Sequence, residues 1–222
     1  MAGRDEITVL IVDGHRMFAD ALQLALDLED GVRVVGSVAH GDAVDAVAEH
    51  GPTVALVDLG VRGHDAVEII REMRGGAPDT AILALVTEQS DVLIAQAVEA
   101  GAAGHLSKFD PVERLGEMVR RAAAGSDLLG PRERRRLLGR LRHRRAEQAT
   151  AQQRADRLTP RELEILQRMA DGMSPAAVAT LLGMRPATLR THVQNIITKL
   201  GVHSKTEALA FAIRHGKVTA RS

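Results

Sequence analysis

Five short runs of Val, Ile and Leu, at residues 7–12, 32–37, 53–57, 81–86 and 104–106, alternate with stretches of helical periodicity. Runs that are apolar on both faces belong inside a sheet covered on both sides, which is the condition of parallel strands. Between them Phe18, Ala21, Leu22, Ala25 and Leu28 mark one helical stripe, and Ala66, Ile69, Ile70 and Met73 another. Five such units within about 120 residues predict a five-stranded doubly wound parallel sheet over residues 1–125. A sheet of this kind places its chemistry at the carboxyl ends of the strands, beside the point where strand order reverses. Four polar groups fall there: Asp13 after the first run, Asp58 after the third, Thr87 after the fourth and Lys108 after the fifth. Singly, each has an ordinary explanation as a turn former, a strand-end hydroxyl or a solvated lysine. Together they predict two carboxylates, a hydroxyl and an ammonium on one rim.

Residues 158–222 follow a different rule. Thr159-Pro160-Arg161-Glu162 is a capping box with proline at the first helical position, and Leu163, Leu166 and Ala170 then share a face until Asp171-Gly172 stops the helix. Ser174-Pro175 opens a second helix, with Val178, Leu181 and Leu182 expected to turn inward, and Gly183 makes the turn to a third that runs from Pro186 to about Leu200. Ser204, with Glu207 three residues on, caps a fourth. In the third helix Leu189, Val193, Ile196, Ile197 and Leu200 form an apolar stripe, while Arg190, Thr191, Gln194, Asn195 and Thr198 lie opposite it. An ordinary solvated face carries acids, yet there is none between Arg185 and Lys205. A helix of this kind suits the major groove of double-stranded DNA, with Arg190, Thr191 and Gln194 toward base edges and Arg185, Thr188, Asn195 and Lys199 toward phosphates.

The formal net charge of zero hides an asymmetry. Residues 1–125 hold 10 basic and 21 acidic side chains, a net of −11, so the remainder carries 19 against 8, a net of +11. The basic half points to nucleic acid. The absence of cysteine excludes disulfides and thiolate metal sites. No signal-like or membrane-length apolar run occurs, so a cytoplasmic protein without membrane contact is expected. The nine histidines show no close ligand spacing and predict no metal site, and His192 is read as packed. No nucleophile elbow or phosphate loop suggests an enzyme. With three phenylalanines and no tyrosine or tryptophan, stacking on single strands is excluded as a main mode. Residues 126–157 are arginine-rich and are expected to form a helical linker with Leu137, Leu138 and Leu141 on its apolar side. Its arginines have two readings, a solvated face against the acidic half or an auxiliary phosphate contact.

The segments LTPRELEIL, SPAAVATLLGM and ATLRTHVQNIITKLGVHSKTEA closely resemble the helix-turn-helix of the LuxR/NarL type over roughly fifty residues. VLIVDGH, ALVDLG, LALVT and AGHLSK resemble the receiver domain of bacterial response regulators, and the two together match the NarL/FixJ layout. The resemblance implies a flavodoxin-like receiver followed by an all-α, four-helix DNA-binding domain that acts as a homodimer, with Leu209, Phe211 and Ile213 as candidate dimer contacts. It also implies that Asp58 accepts a phosphoryl group from a sensor histidine kinase. Thr87 and Lys108 would contact the phosphoryl oxygens, and Asp13 and Asp58 would help hold Mg²⁺.

Several positions depart from that pattern. Gly14 stands where relatives have the second of a pair of acids, Arg62 where they usually have proline, and His105 where an aromatic switch residue is common. The loop after Thr87 is one residue short, and Arg185 is a poor helix cap. Because Mg²⁺ requires oxygen ligands in octahedral array, losing a carboxylate weakens its site. The expectation is therefore a sequence-specific DNA-binding regulator whose receiver is atypical, with little or no Mg-dependent phosphorylation. Such a receiver would dimerise or sense a small-molecule or protein ligand. The alternatives are a conventional switch at Asp58 and, in another class, an adaptor that binds a protein through its receiver and DNA only non-specifically.

Overall fold

The computed structural model describes residues 6–60, 66–87 and 90–220, so Arg62 lies outside the described residues. Strands β1 (Ile7–Val12), β2 (Val32–Val38), β3 (Val54–Asp58), β4 (Ala81–Val86) and β5 (Gly104–Ser107) form one parallel sheet in the order β2-β1-β3-β4-β5. The period of two along each strand divides the core. Val9 and Ile11 of β1, Leu56 of β3 and Leu83 and Leu85 of β4 face helices α1 (Arg16–Asp27) and α5 (Val112–Ala123), in a cluster with Leu22, Leu26, Leu115 and Val119. Leu10 and Val12, Val57, and Ile82 and Ala84 face the other way, in a cluster with residues of α2 (Ala43–His50), α3 (Ala66–Gly76) and α4 (Asp91–Ala100). Strand order reverses between β1 and β3, so Asp13 and Asp58 end up side by side at the crevice.

The chain divides into two units, residues 1–143 and 144–222, and the division falls inside helix α6 (Gly130–Asp156). The stretch expected to be a linker is thus shared between the units. Leu137 and Leu141 are fully buried and join the core cluster that holds Ile94 and Val98 of α4. Arg136 Nη1 lies 2.9 Å from Asp91 Oδ2 at the start of α4, and Arg140 pairs with the same carboxylate. Of the expected apolar side, Leu137 and Leu141, one helical turn apart, are buried and seat the helix, and Leu138 is half-buried.

In the second unit α7 (Pro160–Ala170), α8 (Pro175–Leu181), α9 (Pro186–Leu200) and α10 (Lys205–Arg214) enclose a core of Ile165, Leu166, Val178, Leu189, Ile196, Leu200 and Ala212. Thr159 and Glu162 form the full capping box, and Ser174 and Ser204 cap α8 and α10. Arg185 makes no side-chain cap on α9. Leu181 corrects the expected pattern, because it is 55% exposed whereas Val178 and Ala179 are buried and Leu182 is half-buried. At 100° per residue, Leu181 lies roughly 110° from the direction those three share, so it leaves the core. Among the described residues no helix is long and apolar enough to cross a membrane.

Leu137→Ala tests the placement of α6. A fully buried leucine in a packed core should cost about 2–5 kcal/mol on truncation. Urea unfolding of the 1–143 unit is expected to shift accordingly, and an unchanged midpoint would mean that α6 is only a tether.

Candidate functional site

At the carboxyl rim, Asp13 and Asp58 are both buried, with no side-chain exposure. Two adjacent carboxylates out of water need a counter-charge, and Lys108 supplies it from just beyond β5. Its Nζ lies 2.5 Å from Asp13 Oδ2 and 2.9 Å from Asp58 Oδ1, and it sits 4.5 Å from the centroid of the Phe18 ring. The Gly60 N–H also donates to Asp58 Oδ1, at 3.1 Å. A Cβ added at Gly60 would come within 3.3 and 3.5 Å of the Asp58 oxygens and 3.7 Å of Thr87 Oγ1. That glycine therefore keeps open a small space between the carboxylate and the threonine hydroxyl. All four rim residues expected from the sequence meet there.

Two histidines join them, although the sequence reading assigned the histidines no site. His40 is buried, and its Nε2 lies 2.6 Å from the Asp58 carbonyl oxygen. A carbonyl only accepts, so Nε2 carries the proton and the ring fixes the backbone of the β3 terminus. His15, beyond Gly14, turns back toward the rim. Its backbone N–H donates to Asp13 Oδ1 at 2.8 Å, and its Nδ1 lies 3.1 Å from Asp13 Oδ1 and 3.7 Å from Asp58 Oδ2. Asp58 Oδ2 is buried and has no hydrogen-bond partner among the described residues. Asp13 and His15 meet locally, but Asp58 joins them only once β1 and β3 pair, which spacing along the chain does not show.

The donor set fits Mg²⁺ poorly. Gly14 contributes no side-chain oxygen, and the group that reaches the vacant face of the carboxylate pair is an imidazole nitrogen. His105, on β5, is set apart from this chemistry. Burial lowers its pKa, Arg114 and Arg136 push the same way, and the opposing pull of Glu133 and Asp110 does not offset them.

The second candidate surface is the outer face of α9. Arg185, Thr188, Arg190, Thr191, Gln194 and Asn195 are all exposed, while Leu189, Ile196 and Leu200 anchor the helix and Val193 and Ile197 are packed partly against the core. His192 is half-buried. Lys199 stands apart from the other expected contacts. Its Nζ donates to Glu162 Oε2 at 2.7 Å, and its side chain is 34% exposed. Burial raises the Glu162 carboxyl, but Lys199 and the Thr159 backbone and hydroxyl donors outweigh it and hold the pKa below the usual glutamate range. The expected dimer contacts are only partly available. Leu209 and Phe211 are half-buried against the unit's own core, and Ile213 is 36% exposed.

An acidic strand-end pocket with a bridging lysine, in a chain that also carries a helix-turn-helix, defines a signal-receiving switch coupled to a DNA-binding unit. Residues 9–120 match the response regulator receiver domain, and residues 156–212 match the luxR family of bacterial regulatory proteins. The chain belongs to the LuxR-type response regulators of two-component systems. It is 33% identical to the probable transcriptional regulatory protein NarL of Mycobacterium tuberculosis H37Rv, over 95% of each chain. With the transcriptional regulatory protein LiaR of Bacillus subtilis it shares 31% identity over 94% of this chain and 98% of the relative. The crystal structure of ChrA, the response regulator of a heme-sensing two-component system, covers 96% of this chain and 99% of its own, with 29% identity and a TM-score of 0.52.

Lys199→Ala should destabilise the second unit by about 1–3 kcal/mol near neutral pH, because it strips a buried carboxylate of its strongest donor. The folded pKa of Glu162 is depressed, so this stabilisation is present above the unfolded value of 4.5 and is lost as pH falls through the folded one. The gap in melting temperature between wild type and variant is therefore expected to narrow on acidification. A gap independent of pH would place the effect elsewhere.

Proposed function

We propose that this chain is a sequence-specific, DNA-binding transcriptional regulator that works in the cytoplasm as a homodimer on a two-part DNA site. The observation that carries this is the acid-free, exposed face of α9 set on a packed apolar stripe. Such a face offers donors to an electronegative groove without repulsion from phosphates. Arg190, Thr191 and Gln194 reach base edges, and Arg185, Thr188 and Asn195 contact phosphates. Lys199, tied to Glu162, supports this surface chiefly by holding α9 against α7. Self-association draws on Ile213 with the exposed flanks of Leu209 and Phe211.

Arg190→Ala is expected to cost about 1–3 kcal/mol on the specific site and to relax sequence preference, measured by competition binding against random duplex. Equal weakening on both DNAs would remove Arg190 from base readout. Discrete footprints on genomic fragments support a regulator, whereas diffuse coating supports an adaptor with non-specific attachment.

The receiver in this proposal is atypical. Lys108 already neutralises one carboxylate charge, and the missing acid at Gly14 weakens Mg-dependent phosphorylation, so control passes to dimerisation or to a small-molecule or protein ligand. One observation favours the conventional reading, in which a sensor histidine kinase phosphorylates Asp58. Among the described residues Asp58 Oδ2 has no hydrogen-bond partner, and the space beside Gly60 opens toward Thr87 Oγ1. Phosphate-affinity electrophoresis after acetyl phosphate and Mg²⁺ separates the two. No shifted band is expected for the wild type, and a full shift abolished by Asp58→Asn would establish the conventional switch.

A further inference from the structure

We propose that His15, Asp13 and Asp58 form a binding site for a borderline divalent transition-metal ion of the Zn²⁺ or Co²⁺ kind, in place of the magnesium site expected of the family. The proposal stands on the receiver rim alone and is independent of the DNA-binding output. Three facts carry it. The first is the division of the carboxylate oxygens. Lys108 takes Asp13 Oδ2 and Asp58 Oδ1, so Asp13 Oδ1 and Asp58 Oδ2 both remain on the side facing His15. Two buried carboxylates share a single lysine, and among the described residues Asp58 Oδ2 is a buried acceptor with no hydrogen-bond partner.

The second fact is spacing. Metal–ligand bonds of about 2.0–2.2 Å in a tetrahedron put neighbouring donor atoms roughly 3.4 Å apart. His15 Nδ1 is 3.1 Å from Asp13 Oδ1 and 3.7 Å from Asp58 Oδ2, so two of the three edges already lie within a few tenths of an ångström of that spacing. One ligand atom from each of the three residues lies within 4.8 Å of the others. The His15 side chain is 67% exposed, so an ion would be met first by the imidazole and held against the two buried carboxylates. A water molecule would complete a tetrahedral set.

The third fact is donor chemistry. Imidazole nitrogen suits zinc, cobalt and nickel, whereas Mg²⁺ prefers an all-oxygen octahedron and sheds its water reluctantly. Replacing a second acid by Gly14 and bringing in His15 one position later exchanges an oxygen for a nitrogen. The change moves the site from a hard to a borderline ion.

The test uses the full chain after chelator treatment. Titration with Co²⁺, followed by its visible d–d absorption, is expected to show a tetrahedral site at one ion per chain that Zn²⁺ displaces and equimolar Mg²⁺ does not. His15→Ala should weaken Co²⁺ and Zn²⁺ binding about tenfold or more, since even outer-shell changes cost that much. Circular dichroism is expected to show the fold intact after this exposed substitution. Combining His15→Ala with Gly14→Asp should recover Mg²⁺ binding by calorimetry. A Co²⁺ spectrum and affinity unchanged by His15→Ala would assign the signal to other histidines and overturn the proposal. Failure of the wild type to bind Co²⁺ or Zn²⁺, or a preference for Mg²⁺, would overturn it equally.

Discussion

Two carboxylates cannot lie side by side out of water unless a cation is held between them. The receiver half of this protein is arranged around that constraint. β1 and β3 must pair to bring Asp13 beside Asp58, and β5 must end where Lys108 can reach both. Phe18 of α1 then sets its ring 4.5 Å from the ammonium. Each of these placements depends on sheet order, so the electrostatics of the rim and the topology of the core specify one another. A buried ion pair adds little net stability against an apolar replacement, but breaking it leaves an uncompensated charge. Here Lys108 takes one oxygen of each carboxylate and leaves the other turned toward His15.

The second unit solves a different problem with the same economy of means. Four short helices enclose one small core, and every helix start is fixed by a side-chain cap except that of α9. There Arg185 stands at the cap position and no acid occupies the first turn. An acid there would favour the helix dipole but repel phosphate, so stability at the helix start is traded for a surface that DNA can approach. The ion pair between Glu162 and Lys199 compensates from the far end. It ties the last turn of α9 to the capping box of α7 through a carboxylate that is itself buried.

Sequence and structure part at a few particular residues. Leu181 has the right residue type for the core but the wrong angle, in a helix too short to correct it. Leu137 and Leu141 sit in a stretch so rich in arginine that composition suggests a tether, yet burial makes them part of the receiver. His15 lies only two residues from Asp13, but nothing along the chain shows that Asp58 joins them, and His40 meets the Asp58 carbonyl from 18 residues away. Spacing rules detect sites built on a single helix or loop, and this one is assembled from three strand ends.

Periodicity and capping depend only on neighbours within a turn or two, and so the sequence by itself determined the parallel α/β sheet, the four-helix unit and the polar face of α9. The same local signals placed Asp13, Asp58, Thr87 and Lys108 at strand ends. Only the tertiary structure decided which oxygen Lys108 holds, where His15 points, that Lys199 is spent on Glu162 and that α6 belongs partly to the receiver. Those outcomes are set by distances between residues tens of positions apart, which pairing of strands and packing of helices create and no local pattern encodes.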